Sequence, residues 1–207
     1  MITAIPPGMG TVDRPSTHRE ELGLVVDIAG NRFTAVAVLV TVGLPLGAFL
    51  TGLPSILFYV HVALGAFWFG VDFFFKFVIG PVLEASPEDS ANDLLYRLGP
   101  KSTVLLEPLS VGVIGSGIGL AYLMGYWANP TMWLWGALGI GILMLMIGLG
   151  PLHFIVTDMS VELTMTEPDT DRLDQLLGRS FQWGLIQTIL MLAIIAMMVG
   201  VRGLLPL

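Results

Sequence analysis

Residues 55–83 read SILFYVHVALGAFWFGVDFFFKFVIGPVL, an apolar run interrupted by ionisable side chains only at His61, Asp72 and Lys76. A helix needs about 20 apolar residues to cross a bilayer. This run exceeds that length, so the helix should tilt or protrude. Strand-forming membrane segments would show alternation over about ten residues, and none is present. Four further apolar runs flank this one, at about 33–53, 104–127, 131–156 and 180–204. The expected fold is therefore all-α: an integral membrane bundle of about five transmembrane helices occupying residues 32–207, with the lipid bilayer as its main solvent.

Composition agrees. Of 207 residues, 55% are hydrophobic and 12% charged, with a mean hydropathy of +0.82. Soluble domains carry about a quarter charged residues. There is no cysteine, which excludes disulfides, thiolate metal sites and thiol catalysis. No phosphate loop, nucleotide fingerprint or zinc motif occurs, and no nucleic-acid partner is expected. The net charge of −7 resides in the termini and loops. Acidic, lysine-poor surfaces of this kind suit a high-salt environment.

Residues 1–31 form a polar N-terminal segment, a flexible tail over 1–18 followed by a short amphipathic helix over 19–31 with Leu22, Leu24, Val25, Val26 and Ile28 as its apolar side. Pro6, Pro7 and Gly8 argue against a signal peptide. Pro45 predicts a kink in the first span, and Pro54-Ser55 and Asn129-Pro130 predict short turns. The polar segments 84–103 and 157–178 separate the remaining spans, and Ser86-Pro87-Glu88-Asp89 has the chemistry of a helix start. With a cytoplasmic N-terminus, Arg14, Arg19, Arg32, Lys76, Arg97, Lys101, Arg172 and Arg179 fall on the inner side and only Arg202 outside. The positive-inside rule then predicts a multi-pass cell-membrane protein with its N-terminus inside and C-terminus outside. Gly115 and Gly119, with Gly136, Gly139, Gly141 and Gly148, suit close packing of helices within the chain; a homodimer or membrane-complex face is the alternative.

An ionisable group inside a span costs several kcal/mol unless paired, so each needs a reason. His61, Gly65, Trp68, Asp72 and Lys76 follow intervals of 4, 3, 4 and 4, which places them on one helical face. Asp72 and Lys76 form a favourable i, i+4 pair. Glu107 and His153 are expected at the same depth as that pair, on two other helices. Such a cluster fits a proton relay, a substrate anchor or a structural network. His61 and His153 should lie about 20 Å apart in depth, too far to share one haem iron. Tyr126, Trp127, Trp133, Trp135 and Trp183 read as aromatic belts. Met144, Met146, Met191, Met197 and Met198 read as packing or lipid-facing residues rather than copper ligands.

The segment Tyr59 to Gly70, followed by Asp72-Phe73-Phe74-Phe75-Lys76 and Gly80-Pro81, resembles the His-x6-Trp-x-Gly helix of the CopD and HemJ group of small membrane proteins, most of all its uncharacterised relatives. The resemblance covers about thirty residues and otherwise extends only to a four- or five-helix plan. It implies a haem- or metal-linked redox protein, a membrane oxidoreductase of HemJ type, with haem b or a metal held through His61 and with Trp68 and Gly70 packing against neighbouring helices or the porphyrin. Two other readings stay open: a proton- or solute-handling transporter using Asp72, Lys76, Glu107 and His153, and a non-catalytic membrane subunit.

Overall fold

The computed structural model describes residue 15, residues 17–165 and residues 168–203. Most of the expected tail, residues 1–14 and 16, lies outside these. Among the described residues there is no strand, and six helices make the structure. They are α1 His18–Ala29, α2 Asn31–Leu50, α3 Pro54–Ala85, α4 Glu88–Leu123, α5 Met132–Glu162 and α6 Thr170–Val201. Helices α2 to α6 are each long and apolar enough to cross a bilayer, and the chain is a polytopic membrane protein.

The surface carries the pattern lipid demands. Leu50, Tyr59, Phe77, Met132 and Ile189 point outward, where hydrocarbon rather than water favours them. Helix α4 is the axis of the bundle and packs against α1, α2, α3 and α5, while α6 rests on α5 and α3.

The helices run further into the polar segments than hydropathy indicates. α4 begins at Glu88 rather than near 104, α5 ends at Glu162 rather than 156, and α6 begins at Thr170 rather than 180. Hydropathy marks only the lipid-facing stretch, whereas backbone hydrogen bonding continues wherever neighbouring helices supply packing. Here they do. Leu95, Tyr96, Ile155, Met159, Leu163, Leu173 and Leu176 form a second core beyond the lipid-facing one. At 36 residues, α4 is about 54 Å long. Its N-cap is Pro87, and Glu88 and Asp89 occupy the first turn against the helix dipole.

α1 is more than an appendage. Thr17 and Glu20 close a capping box at its start. Val25 and Ala29 pack with Val104 of α4, so the helix belongs to the bundle.

Prolines shape three of the spans. π-helical turns occupy Leu39–Gly43, Phe75–Ile79 and Gly148–Leu152, adjoining or containing Pro45, Pro81 and Pro151. A proline lacks the N–H for its i−4 carbonyl and clashes with it, and widening the preceding turn by one residue relieves the clash. In α5 the result is a kink at Gly150, whose φ and ψ are −105° and −106°. In α2, Pro45 cannot bond the Thr41 carbonyl. That oxygen lies so close to Gly112 of α4 that any Cβ there would overlap it. Gly112 thus lets two backbones meet where lipid supplies no hydrophobic drive.

Not every tryptophan is a belt residue. Trp127 and Trp135 are exposed and meet edge to face, with ring centroids 5.9 Å apart. Trp133 instead packs onto Gly200 of α6, and Trp183 packs against the second core. Met144 and Met191 are core residues, while Met146 faces outward.

Candidate functional site

The periodic stripe on α3 does turn inward. His61 and Trp68 are buried, Gly65, Asp72 and Lys76 are half-buried, and the intervening Phe67, Phe73 and Phe74 are exposed. The stripe divides into two environments.

Its lower part borders a partly open cavity of about 270 Å³ lined by α3, α4, α5 and α6. Trp68, Asp72 and Lys76 line it from α3, Glu107 and Ser110 from α4, His153 from α5, and Gly184 and Gln187 from α6. Asp72, Lys76, Glu107 and His153, expected at a common depth on three helices, are therefore brought to one space.

On the α3–α6 wall, Lys76 Nζ donates to Asp72 Oδ1 within its own helix, and the Thr188 hydroxyl of α6 donates to Asp72 Oδ2 at 2.6 Å. The Lys76 side chain crosses directly over Gly184, where a Cβ would come 3.0 Å from Cε. A fixed cation thus compensates this carboxylate, and a glycine on the facing helix makes room for it. The α4–α5 wall differs. Glu107 Oε1 and His153 Nδ1 are 2.6 Å apart, bridging two helices. This wall pairs a carboxyl group with an imidazole instead of with an ammonium group. The kink at Gly150-Pro151 immediately precedes His153. Elsewhere in the lining, Gln187 of α6 is only 4% exposed. Its Nε2 donates to the Met144 carbonyl at 3.4 Å, while its Oε1 is one of two buried side-chain atoms among the described residues that have no hydrogen-bond partner.

The upper part of the stripe is closed. His61 lies in the α3–α4 seam with Nδ1 at 2.9 Å from the Ser116 hydroxyl and 3.1 Å from the Val113 carbonyl. Ser116 already gives its hydroxyl proton to Val113 at 2.8 Å, so Nδ1 is the donor and the neutral ring keeps its lone pair on Nε2. The ring sits over Gly117, where a Cβ would be 3.1 Å from Cε1. His61 does not line the cavity, and Gly70 is exposed with no atom within 4 Å of its Cβ direction. His61, Trp68 and Gly70 thus face a seam, a cavity and the outer surface respectively and do not converge on one space. His61 clamps α3 to α4. His61 and His153 meet α4 at Ser116 and Glu107, about 14 Å apart along its axis. They are separate sites, though closer together than depth alone indicates. Among the described residues there is no group of three or more His, Asp or Glu placed to hold a metal ion.

Sequence reasoning passed over three residues. Thr188 and Gln187 are uncharged and so cost little in a span, which removes the signal that drew attention to Asp72. His18 belongs to the polar N-terminal segment, 135 positions from the His153 ring it meets. Compared with family models, with curated proteins and with solved structures, the chain matches none.

Proposed function

We propose that this polytopic membrane protein handles protons, alone or together with a small polar solute, through the cavity between α3, α4, α5 and α6. The observation that carries this reading is the pairing of Glu107 with His153 across two helices at the wall of a space lined by Asp72 and Lys76. A network that only fixed helix register would be fully satisfied and tightly packed. Here the polar groups border about 270 Å³ of unfilled volume and Gln187 Oε1 lacks a partner. The volume lies just below the roughly 300–1,000 Å³ of sites for drug-sized ligands, which favours a proton or a small solute. One wall is an ion pair of zero net charge. The other carries a proton that can be exchanged, and that asymmetry suits proton handling.

The positive-inside distribution supports a cytoplasmic α1 end, in the cell membrane. The test is proton flux into proteoliposomes driven by a membrane potential and read with an entrapped pH dye. Glu107→Gln is expected to fold as wild type and to lose at least about a hundredfold of that flux, the scale of removing a positioned proton-transfer group. Wild-type flux in this variant would overturn the reading.

A further inference from the structure

The Glu107–His153 pair does not end at the cavity. His153 uses Nδ1 on Glu107 and turns its other nitrogen, Nε2, toward Nε2 of His18 at 3.4 Å. His18 Nδ1 in turn lies 3.1 Å from Glu21 Oε2. The two imidazoles meet edge to face at 81°, with centroids 5.3 Å apart, and Phe154 packs against both rings. His153 is buried, whereas the His18 side chain is 46% exposed. Arg19, Glu20 and Glu21 follow His18 in the first turn of α1. Three consecutive charged residues require water or lipid headgroups, so this turn marks the aqueous boundary of the bundle. Every ring nitrogen in the series is engaged, and the series runs from the cavity to that boundary.

We infer that Glu107, His153, His18 and Glu21 form a hydrogen-bonded proton path from the cavity to the surface at the α1 end, with His18 as its outer relay. The inference rests on the cavity reading above and adds the route. The balance closes without a co-reactant. A protonated Glu107 gives its proton to His153 Nδ1. His153 passes the proton on Nε2 to His18 Nε2, and His18 passes the proton on Nδ1 to the Glu21 carboxylate. Glu107 ends ionised, Glu21 ends protonated, and each neutral imidazole has exchanged one tautomer for the other. The charged groups that face the path are Glu21 on α1, Glu107 on α4, and the Asp72–Lys76 pair across the cavity on α3. Asp158, further along α5, is engaged with Arg172.

Infrared pH-jump spectroscopy on the full chain in lipid tests this without knowledge of any solute. Wild type should show a protonated-carboxyl band that Glu107→Gln removes. His18→Phe, which keeps the ring contact with Phe154 but cannot carry a proton, should keep the band and slow its response to the jump by about a hundredfold. His18→Ala should show the same slowing and recover when free imidazole is added, a rescue that a purely structural role would not give. A response in His18→Phe as fast as wild type would overturn the path while leaving Glu107 as a titrating cavity residue. A spectrum in which Glu107→Gln removes no band would overturn the path and the cavity reading together.

Discussion

His61 and His153 are equally buried, at 7% and 9% exposure, and both bridge to α4, yet their partners set them apart. His61 bonds a backbone carbonyl and a serine hydroxyl whose own proton is already committed. Neither partner is a titratable side chain, and the imidazole serves as a clamp. His153 bonds a carboxylate on one nitrogen and a second imidazole on the other, so each nitrogen can both receive and release. A buried histidine is not a functional signal in itself. The titratability of its two partners, and the space beside it, decide the matter.

That contrast can be attacked from either side. The largest structural effect is expected on the cavity side, at Lys76. Lys76→Met strips Asp72 of its cation and should cost about 3–5 kcal/mol in detergent-unfolding measurements, the scale of leaving a buried charge uncompensated. Adding Asp72→Asn should restore most of that loss, because removing both partners leaves no stranded charge. A double variant as unstable as the single one would mean that the pair contributes through packing instead. A smaller effect is expected in the seam. His61→Ala should cost about 2 kcal/mol, from lost packing and the acceptors left without their donor, and Ser116→Ala about 1 kcal/mol. Both should leave potential-driven proton flux at the wild-type level. Haem supplementation provides a sharper check on the same seam, since a Soret band present in wild type and lost in His61→Ala would make His61 the ligand and reverse the contrast.

Much of this was legible in the sequence. Apolar runs of sufficient length located all five spans, because lipid allows few other solutions. The 4, 3, 4, 4 spacing from His61 to Lys76 picked out the inward face of α3, since charge inside a span must turn away from lipid. Helix ends were less legible: residues 88–103 look like a polar linker until the second core that buries Leu95 and Tyr96 is known. The two fates of the α3 stripe could not be read at all. Whether His61 meets a hydroxyl or a cavity depends on which residues of α4 stand opposite, and only packing reveals that. Gly70 shows the converse: it completes a motif on paper but projects to the outer surface. His18 escaped notice because α1 carries it back onto α5 from a segment that hydropathy assigns to solvent.

The absence of native cysteine allows a direct comparison of seam and cavity. Ser110 lines the cavity and Ser116 lies under His61, on the same helix. Single Ser110→Cys and Ser116→Cys variants, reconstituted in lipid, would be treated with a small water-soluble thiol reagent and the rates compared. The account predicts prompt labelling at position 110, blocked in neither orientation by acyl chains, and none at position 116 while the protein stays folded. Equal protection at both positions would mean that the Glu107–His153 wall is sealed from water, contradicting a proton-handling cavity.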